Sequence, residues 1–268
     1  MSLNKKLSNL FSIINKYNKI IVAYSGGLDS SVLVFLCKYL QKDVIALTAK
    51  SDIFFDSEIN FAKSFTKFHN IKHKIIKINQ LENLNFIKND INRCYYCKKE
   101  LFNKLLDIKN KLKYDIIFDG TNFSDIQYDF RPGLKAAKEF NVVHPYVEAK
   151  ITKEDIKKIA KKFNLNLQKK FPRCCIVTRI PFGIKIEKNI LAKILKAEEI
   201  IKSCWNKFFR VRHHNDLIRI EVEKRYIKKF INNSQLKNLL LNLKKIGYKF
   251  ICLDLEGYIP AGKREVNF

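Results

Sequence analysis

A near-continuous apolar run, KIIVAYS at residues 19–25, passes directly into GGLDSSVLVFLCKYL. Such a run suits a strand buried on both faces, and the Gly-Gly pair turns it into a helix. A strand followed at once by a helix needs a parallel partner reached by crossover, and the chain supplies that unit repeatedly. DVIALTAK (43–50) is a second strand, and SEINFAKSFTKFHN (57–70) a helix with apolar positions at 59, 61, 62, 65 and 68. KHKIIKIN (72–79) is a third strand, a helix is expected near 98–111, and YDIIFDGTN is a fourth strand ending in a loop. RPGLKAAKEF suggests another helix, VVHPY a short strand, and TKEDIKKIAKKFNL an amphipathic helix with Thr152 as N-cap and Asp155 three positions on. The expectation is an α/β fold, a parallel sheet flanked by helices on both faces.

From about residue 172 the alternation stops. IEKNILAKILKAEEIIKSC reads as a helix, FFRVRHHN and LIRIEVE as an antiparallel hairpin, SQLKNLLLNLKKIGY as a helix and KFICLDLEGY as a closing strand. This divides the chain into residues 1–171 and a smaller C-terminal α+β domain, 172–268, of ordinary domain size. A hydrophobic content of 47% indicates a folded globular chain. No window reaches the apolar length that spans a bilayer and the N-terminus lacks a signal-peptide pattern, so a cytoplasmic location is expected. Seven cysteines there read as thiols or metal ligands, not disulfides. The net charge of +26 is a possible nucleic-acid signal, but only nine of 52 basic residues are arginine and the lysines spread over almost every helix. A general lysine bias explains the charge as well as a phosphate-tracking patch does. Arginines are then the more informative cations, because a planar fork binds carboxylate or phosphate in a way that lysine cannot.

YSGGLDSS (24–31) sits between the first strand and its helix. Gly26 and Gly27 expose backbone N–H groups at a helix N-terminus, where the dipole favours an anion. Ser25, Ser30 and Ser31 add hydroxyls, and Asp29 can hold Mg²⁺ beside phosphates. The Gly-Lys-Ser/Thr ending of a Walker loop is missing. FDGTNFSD (118–125) ends the fourth strand, on the side where open α/β sheets bind ligands, with Asn122 and Asp125 as candidates. Ser51, directly after the second strand, is a further candidate for the nucleotide, and Arg131 in DFRPG for substrate or pyrophosphate.

INRCYYCKKELF carries Cys94 and Cys97. Two thiols so spaced can grip a metal, cycle through a disulfide or sit in a core, and no second pair of zinc ligands lies nearby. FPRCCIVTRIPFG (171–183) holds Cys174, Cys175 and Arg179 between two prolines, which suggests an extended loop. Cys94, Cys97 and one of that doublet could carry a [4Fe–4S] cluster with one iron open. Cys37, Cys204 and Cys252 read as buried thiols. Arg210 and Arg212, two apart on a strand, share one face and suit a phosphate monoester, with Glu198, Glu199, Glu221 and Glu223 to orient forks or meet substrate. His213 and His214 read as surface or hydrogen-bonded histidines.

Taken in order, YSGGLDSS, GTNFSD, DFRPGLKAAKEF, CCIVTRIPFG, KAEEI, FRVRHHN, IRIEVE and LDLEGY resemble the LarE family, sulfur transferases of nickel-pincer cofactor biosynthesis in the PP-loop ATP pyrophosphatase superfamily. The resemblance implies an adenine nucleotide α-hydrolase-like fold. It implies that ATP adenylates a carboxylate of pyridinium-3,5-biscarboxylic acid mononucleotide and that sulfur displaces AMP, leaving a thiocarboxylate. One branch of the family gives up the sulfur of a single cysteine, which becomes dehydroalanine; alignment on Thr178-Arg179-Ile180-Pro181 puts Cys175 there. Another branch adds a CxxC and a [4Fe–4S] cluster that carries supplied sulfide, and CYYC points to that branch, with Cys94, Cys97 and Cys175 as ligands. The departures are Leu28, where valine is usual, the extra Cys174, and a loosely matching C-terminus. The resemblance also implies a homo-oligomer, a hexamer in LarE-like proteins. The rival is a cluster-dependent tRNA thiolase of the same superfamily. The charge favours it; RVRHH, LDLEGY and the small C-terminal domain do not look like an RNA-binding module.

Overall fold

The computed structural model describes residues 1–53, 56–127, 132–167 and 175–259. The chain divides into two compact units, Met1–Phe86 with Ile91–Lys170, and Ile87–Asp90 with Phe171–Phe268.

The first unit opens with a helix not foreseen from the sequence, α1 (Leu3–Asn15), after which β1 (Lys19–Ala23), α2 (Leu28–Tyr39), β2 (Asp43–Lys50), α3 (Asp56–Phe68) and β3 (Lys72–Lys77) alternate as expected. The short α4 (Leu84–Ile87) and the long α5 (Arg93–Leu112) lead to β4 (Ile116–Asp119). Then follow α6 (Phe123–Ile126), α7 (Pro132–Glu139), α8 (Pro145–Glu148) and α9 (Lys153–Lys162). The four strands form one parallel sheet in the order β3-β2-β1-β4. β1 shows why the apolar run is unbroken. Ile20 and Val22 join one core with Leu33, Leu36, Ile156 and Ile159, while Ile21 and Ala23 join another with Phe102, Leu105, Ala136 and Ala137. Side chains alternate across a strand, so helices on both faces demand apolar residues at every position. Ile20, Ile21 and Val22 are wholly buried, each contributing about 1.5–3 kcal/mol.

Chain order runs outward from β1 through β2 to β3, then returns to β4 on the other side of β1. The strand order reverses between β1 and β4, the point where open α/β sheets leave a crevice beyond their carboxyl ends. Ala23 pairs with Asp119 in register, so the loops after these strands begin side by side.

Three local expectations change. The helix expected near 98–111 begins at Arg93, so the CxxC occupies its first turns, and Cys94 and Cys97, three apart, lie on neighbouring positions of one face. VVHPY makes only a single bridge, Phe118 with Val143, before α8 opens with Pro145 at its first position, where a missing N–H costs nothing. The loop around Cys175 tightens into a 3₁₀ turn, Ile176–Arg179, instead of staying extended. Thr152 caps α9 as expected, in a reciprocal box with Asp155.

The second unit holds α10 (Lys188–Cys204), β5 (Phe209–His214), β6 (Leu217–Val222), α11 (Ile227–Ile231), α12 (Leu236–Lys245) and β7 (Phe250–Leu253). The sheet order is β5-β6-β7; the first pair is antiparallel and β7 lies parallel to β6. α10 buries Leu191, Ile194, Ala197 and Ile201 and packs on β5 and α12. Ile87–Asp90 belongs here because the buried Asn89 amide donates to the carbonyls of Pro181 and Ile184, each at 2.7 Å. Cys37 is fully buried, its thiol pushed up by burial. Cys204 is half-buried, and Cys252 is exposed, contrary to expectation, because it shares the open face of β7 with the exposed Phe250. His213 is buried with Nδ1 3.1 Å from the Tyr248 hydroxyl.

Candidate active site

The turn after β1 is built from its own small side chains. Gly26 has φ +73°, and a Cβ there would meet the Glu58 carbonyl oxygen at 2.8 Å, so only glycine fits. The N–H of Gly27 donates to Ser25 Oγ at 3.3 Å, Ser30 Oγ donates to the Gly27 carbonyl at 3.3 Å, and the two serine oxygens lie 3.2 Å apart. Gly27 is the N-cap of α2 and no side chain caps it, which leaves the helix N-terminus to an outside acceptor. Ser25 and Gly27 are exposed.

Gly120, just past β4, presses on this turn: a Cβ would lie 3.0 Å from Ser30 N and 3.2 Å from Ser30 Cα. Asn122, buried, caps α6 in a reciprocal box with Asp125. Its side-chain amide donates to Asp125 Oδ2 at 2.8 Å and reaches Asp29 Oδ2 at 3.5 Å. Asp29 therefore stands where the two loops meet. Lys153 Nζ, from the first position of α9, donates to both Asp29 oxygens at 2.6 Å. The Tyr146 hydroxyl donates to the Asp29 carbonyl at 3.0 Å. Burial raises the pKa of Asp29, and Lys153 opposes that without reversing it.

Asp119 ends β4, just before the Gly120 that meets the turn. Lys98 Nζ is 2.7 Å from its carboxylate, His144 Nδ1 3.5 Å, and Thr121 donates its N–H at 2.9 Å. Burial alone would raise this carboxyl; Lys98 and His144 outweigh it and hold it well below the usual range. Lys98 rises from α5 one residue past Cys97, so the ion pair ties the CxxC turn to the end of β4. Gly133 of α7 lies against the same turn, its absent Cβ 3.3 Å from Lys98 Cγ and 3.9 Å from the Cys94 carbonyl. Cys94 is exposed, Cys97 half-buried with the Gln80 amide 3.8 Å from its sulfur, and neither is in a disulfide.

In the second unit the 3₁₀ turn carries Cys175. Arg179 is buried; its Nε donates to Glu198 at 2.8 Å and its Nη1 to the Cys175 carbonyl at 3.1 Å. Arg212 closes a bidentate fork on Glu221, both bonds 3.0 Å, and donates through Nη1 to the Thr178 carbonyl at 2.8 Å. Glu221 is fully buried. Arg210 is buried, its guanidinium 5.5 Å from the Phe208 ring centroid and 5.7 Å from that of Tyr258.

A strand-turn-helix with a bare N-terminus at a switch point is a nucleotide-phosphate site in form, and comparison with known proteins agrees. Residues 19–111 match the family model described as "Queuosine biosynthesis protein QueC". An uncharacterized protein of Methanocaldococcus jannaschii is 36% identical over 94% of this chain and 96% of its own length. The pyridinium-3,5-bisthiocarboxylic acid mononucleotide synthase of Lactiplantibacillus plantarum is 29% identical over 96% of this chain and 93% of its own. The chain belongs to the PP-loop ATP pyrophosphatase superfamily and is LarE-like. The structure of NMN synthetase from Francisella tularensis superposes with a TM-score of 0.52, covering 64% of this chain and 76% of that one, at 17% identity. That likeness shows the fold: a parallel sheet flanked by helices, of the adenine nucleotide α-hydrolase type, with a small C-terminal mixed sheet.

Of the residues singled out in this LarE-like sequence, Ser25, Gly26, Gly27, Asp29, Ser30, Asn122 and Asp125 come together where the turns after β1 and β4 meet in the first unit. Ser51 follows β2, half-buried. Arg131 and Cys174 lie outside the described residues. Cys175, Arg179, Glu198, Arg210 and Arg212 lie in the second unit, where Arg212 spends its fork on Glu221 and a backbone carbonyl. Lys153, Lys98, Asp119, His144 and Tyr146 were not foreseen. Lysines in a lysine-rich chain carry no signal of their own, and Asp119 stands out only once its pairing is seen. Among the described residues no group of three or more His, Cys, Asp or Glu side chains is gathered closely enough to hold a metal ion. The described cysteines thus supply two adjacent thiols on α5 and no complete cluster site. No described helix is long and apolar enough to cross a membrane.

Proposed function

We propose that the protein uses ATP to adenylate a carboxylate of pyridinium-3,5-biscarboxylic acid mononucleotide, or a close relative, and converts it to a thiocarboxylate. The observation that carries the reading is the glycine turn after β1, with its uncapped helix N-terminus beside Asp29, in a chain similar over nearly its whole length to the L. plantarum synthase. The substrate carboxylate attacks the α-phosphorus of ATP, and pyrophosphate leaves toward the N–H groups of the turn and the Ser25 and Ser30 hydroxyls. Preorganised donors of this kind stabilise the charge that develops on the leaving group. Asp29 and Asp125 are hard oxygen donors suited to Mg²⁺ that arrives with ATP, which would neutralise phosphate charge; a Mg²⁺ site needs only one or two carboxylates besides the phosphates. Lys153 keeps Asp29 compensated meanwhile.

For sulfur, the Cys175 thiolate attacks the acyl adenylate and AMP leaves, giving a thioester. Loss of the Cys175 Cα proton and cleavage of its Cβ–S bond then yield the thiocarboxylate and dehydroalanine. The C-x-x-[ST]-R-I-P pattern around Cys175 supports this assignment. In the sulfide-carrying form of the same proposal Cys94, Cys97 and Cys175 would hold a [4Fe–4S] cluster that supplies the sulfide; the paired thiols of α5 support it, and the described residues gather no third ligand beside them. Anaerobic iron and sulfide analysis of the wild type and of Cys94→Ala, Cys97→Ala, Cys174→Ala and Cys175→Ala decides between the two. Pyrophosphate and AMP formed only with the mononucleotide would bear out the reaction. ATP-dependent thiolation of tRNA, with salt-sensitive tRNA binding, would overturn it.

A further inference from the structure

The carbonyl oxygen of Cys175 receives three hydrogen bonds: from the Thr178 N–H at 3.0 Å, the Thr178 hydroxyl at 2.8 Å and Arg179 Nη1 at 3.1 Å. A neutral backbone carbonyl has two lone pairs, and closing a 3₁₀ turn takes only the first of these bonds. The Thr178 hydroxyl bond is a local side-chain motif added to the turn, and the third bond, which the turn does not need, comes from a buried guanidinium. Burying a cation is costly unless it is paired. Arg179 is held in place by Glu198 at Nε and also donates to the Thr178 hydroxyl at 3.1 Å. Arg212 adds a brace through the Thr178 carbonyl, 2.8 Å away. Donors so arranged are matched to an oxygen that carries more negative charge than a resting amide does.

We infer that Thr178 and Arg179 form an enolate hole on the backbone of Cys175 that drives the elimination step; this rests on the sulfur transfer proposed above. In the thioester the Cys175 sulfur is acylated. Removing the Cα proton to solvent leaves an electron pair that delocalises onto the Cys175 carbonyl oxygen, where the three donors meet it. That pair then forms the Cα–Cβ double bond as the Cβ–S bond breaks, and the sulfur departs with its electrons as the thiocarboxylate. No oxidant or reductant is required. Charge-assisted bonds in a buried setting strengthen as the charge develops, so they act on the transition state more than on the ground state. Arg179 and Thr178 thereby belong to the sulfur-releasing step and not to adenylation.

The test follows one turnover of the full-length chain with ATP, Mg²⁺ and the mononucleotide in sulfide-free buffer, reading AMP by chromatography and Cys175 by peptide mass spectrometry. Wild type should form AMP and convert Cys175 to dehydroalanine. Thr178→Val and Arg179→Gln should still release AMP but retain the acyl group on Cys175, with dehydroalanine appearing about 100-fold more slowly. Thr178→Ser, which keeps the hydroxyl, should behave as wild type. Dehydroalanine at the wild-type rate in Thr178→Val, or both variants stalling before AMP release, would overturn the inference. A wild type that forms AMP while Cys175 stays an intact thiol would overturn the sacrificial step, and one that forms no AMP would overturn the proposed reaction itself.

Discussion

Replacing Gly26 by alanine tests the nucleotide turn most directly, because two independent costs can be separated. The first is conformational: at φ +73° a Cβ meets the backbone, a penalty of about 1–2 kcal/mol. The second is packing: that Cβ would lie 2.8 Å from the Glu58 carbonyl oxygen on α3. A backbone oxygen cannot swing away as a side chain can, so the turn or the helix must move, for about 1–3 kcal/mol more. Gly183 supplies the control, with φ +85° and nothing within 4 Å of its missing Cβ. Gly183→Ala should therefore show only the first cost, about 1–2 kcal/mol, and Gly26→Ala about 2–5 kcal/mol. Denaturant unfolding of both full-length variants measures the difference. ATP binding by calorimetry should weaken about tenfold or more in Gly26→Ala, since small misplacements of phosphate-positioning groups are costly, and stay unchanged in Gly183→Ala. Equal stability losses in the two variants would refute the packing argument, and unaltered ATP affinity in Gly26→Ala would refute placing the phosphates at this turn.

Asp119→Asn should destabilise the chain by about 1–3 kcal/mol at neutral pH, a buried ion-pair cost discounted because Lys98 is partly exposed. The folded pKa of Asp119 is depressed well below 3.8, so the stabilisation is present above that value and is lost as pH falls through the folded pKa; unfolding curves of wild type and variant should converge in acid. Lys153→Met removes the cation that opposes the burial-raised pKa of Asp29. The acid limb of ATP-dependent activity should move to higher pH, and an unmoved limb would detach Lys153 from the reaction. Glu221→Gln leaves the Arg212 fork without its buried carboxylate and should cost about 3 kcal/mol, read as a lowered unfolding midpoint.

The residues of KIIVAYSGGLDSS determine a great deal by themselves. Apolar residues at the last four of the five positions of β1, Ile20 to Ala23, leave no polar face to turn to water, so helices must cover both sides. A Gly-Gly turn into a helix with no capping side chain advertises an anion, and Thr152 with Asp155 announces a helix start. Each of these follows from steric and hydrogen-bonding rules that act within a few residues. The tertiary structure decided what depends on distant partners. Whether the CxxC lies before the helix or inside it turns on how α5 packs beneath Gly133 and reaches Asp119 through Lys98. Cys252 reads as buried from its apolar neighbours, yet it lies with Phe250 on the face of β7 that stays open. Arg210 and Arg212 look equivalent along the strand, but Glu221 on β6 claims one fork and aromatic rings flank the other. The three donors on the Cys175 carbonyl are local in sequence and still invisible there, because Arg179 reaches that oxygen only after Glu198, nineteen residues on, has set its direction.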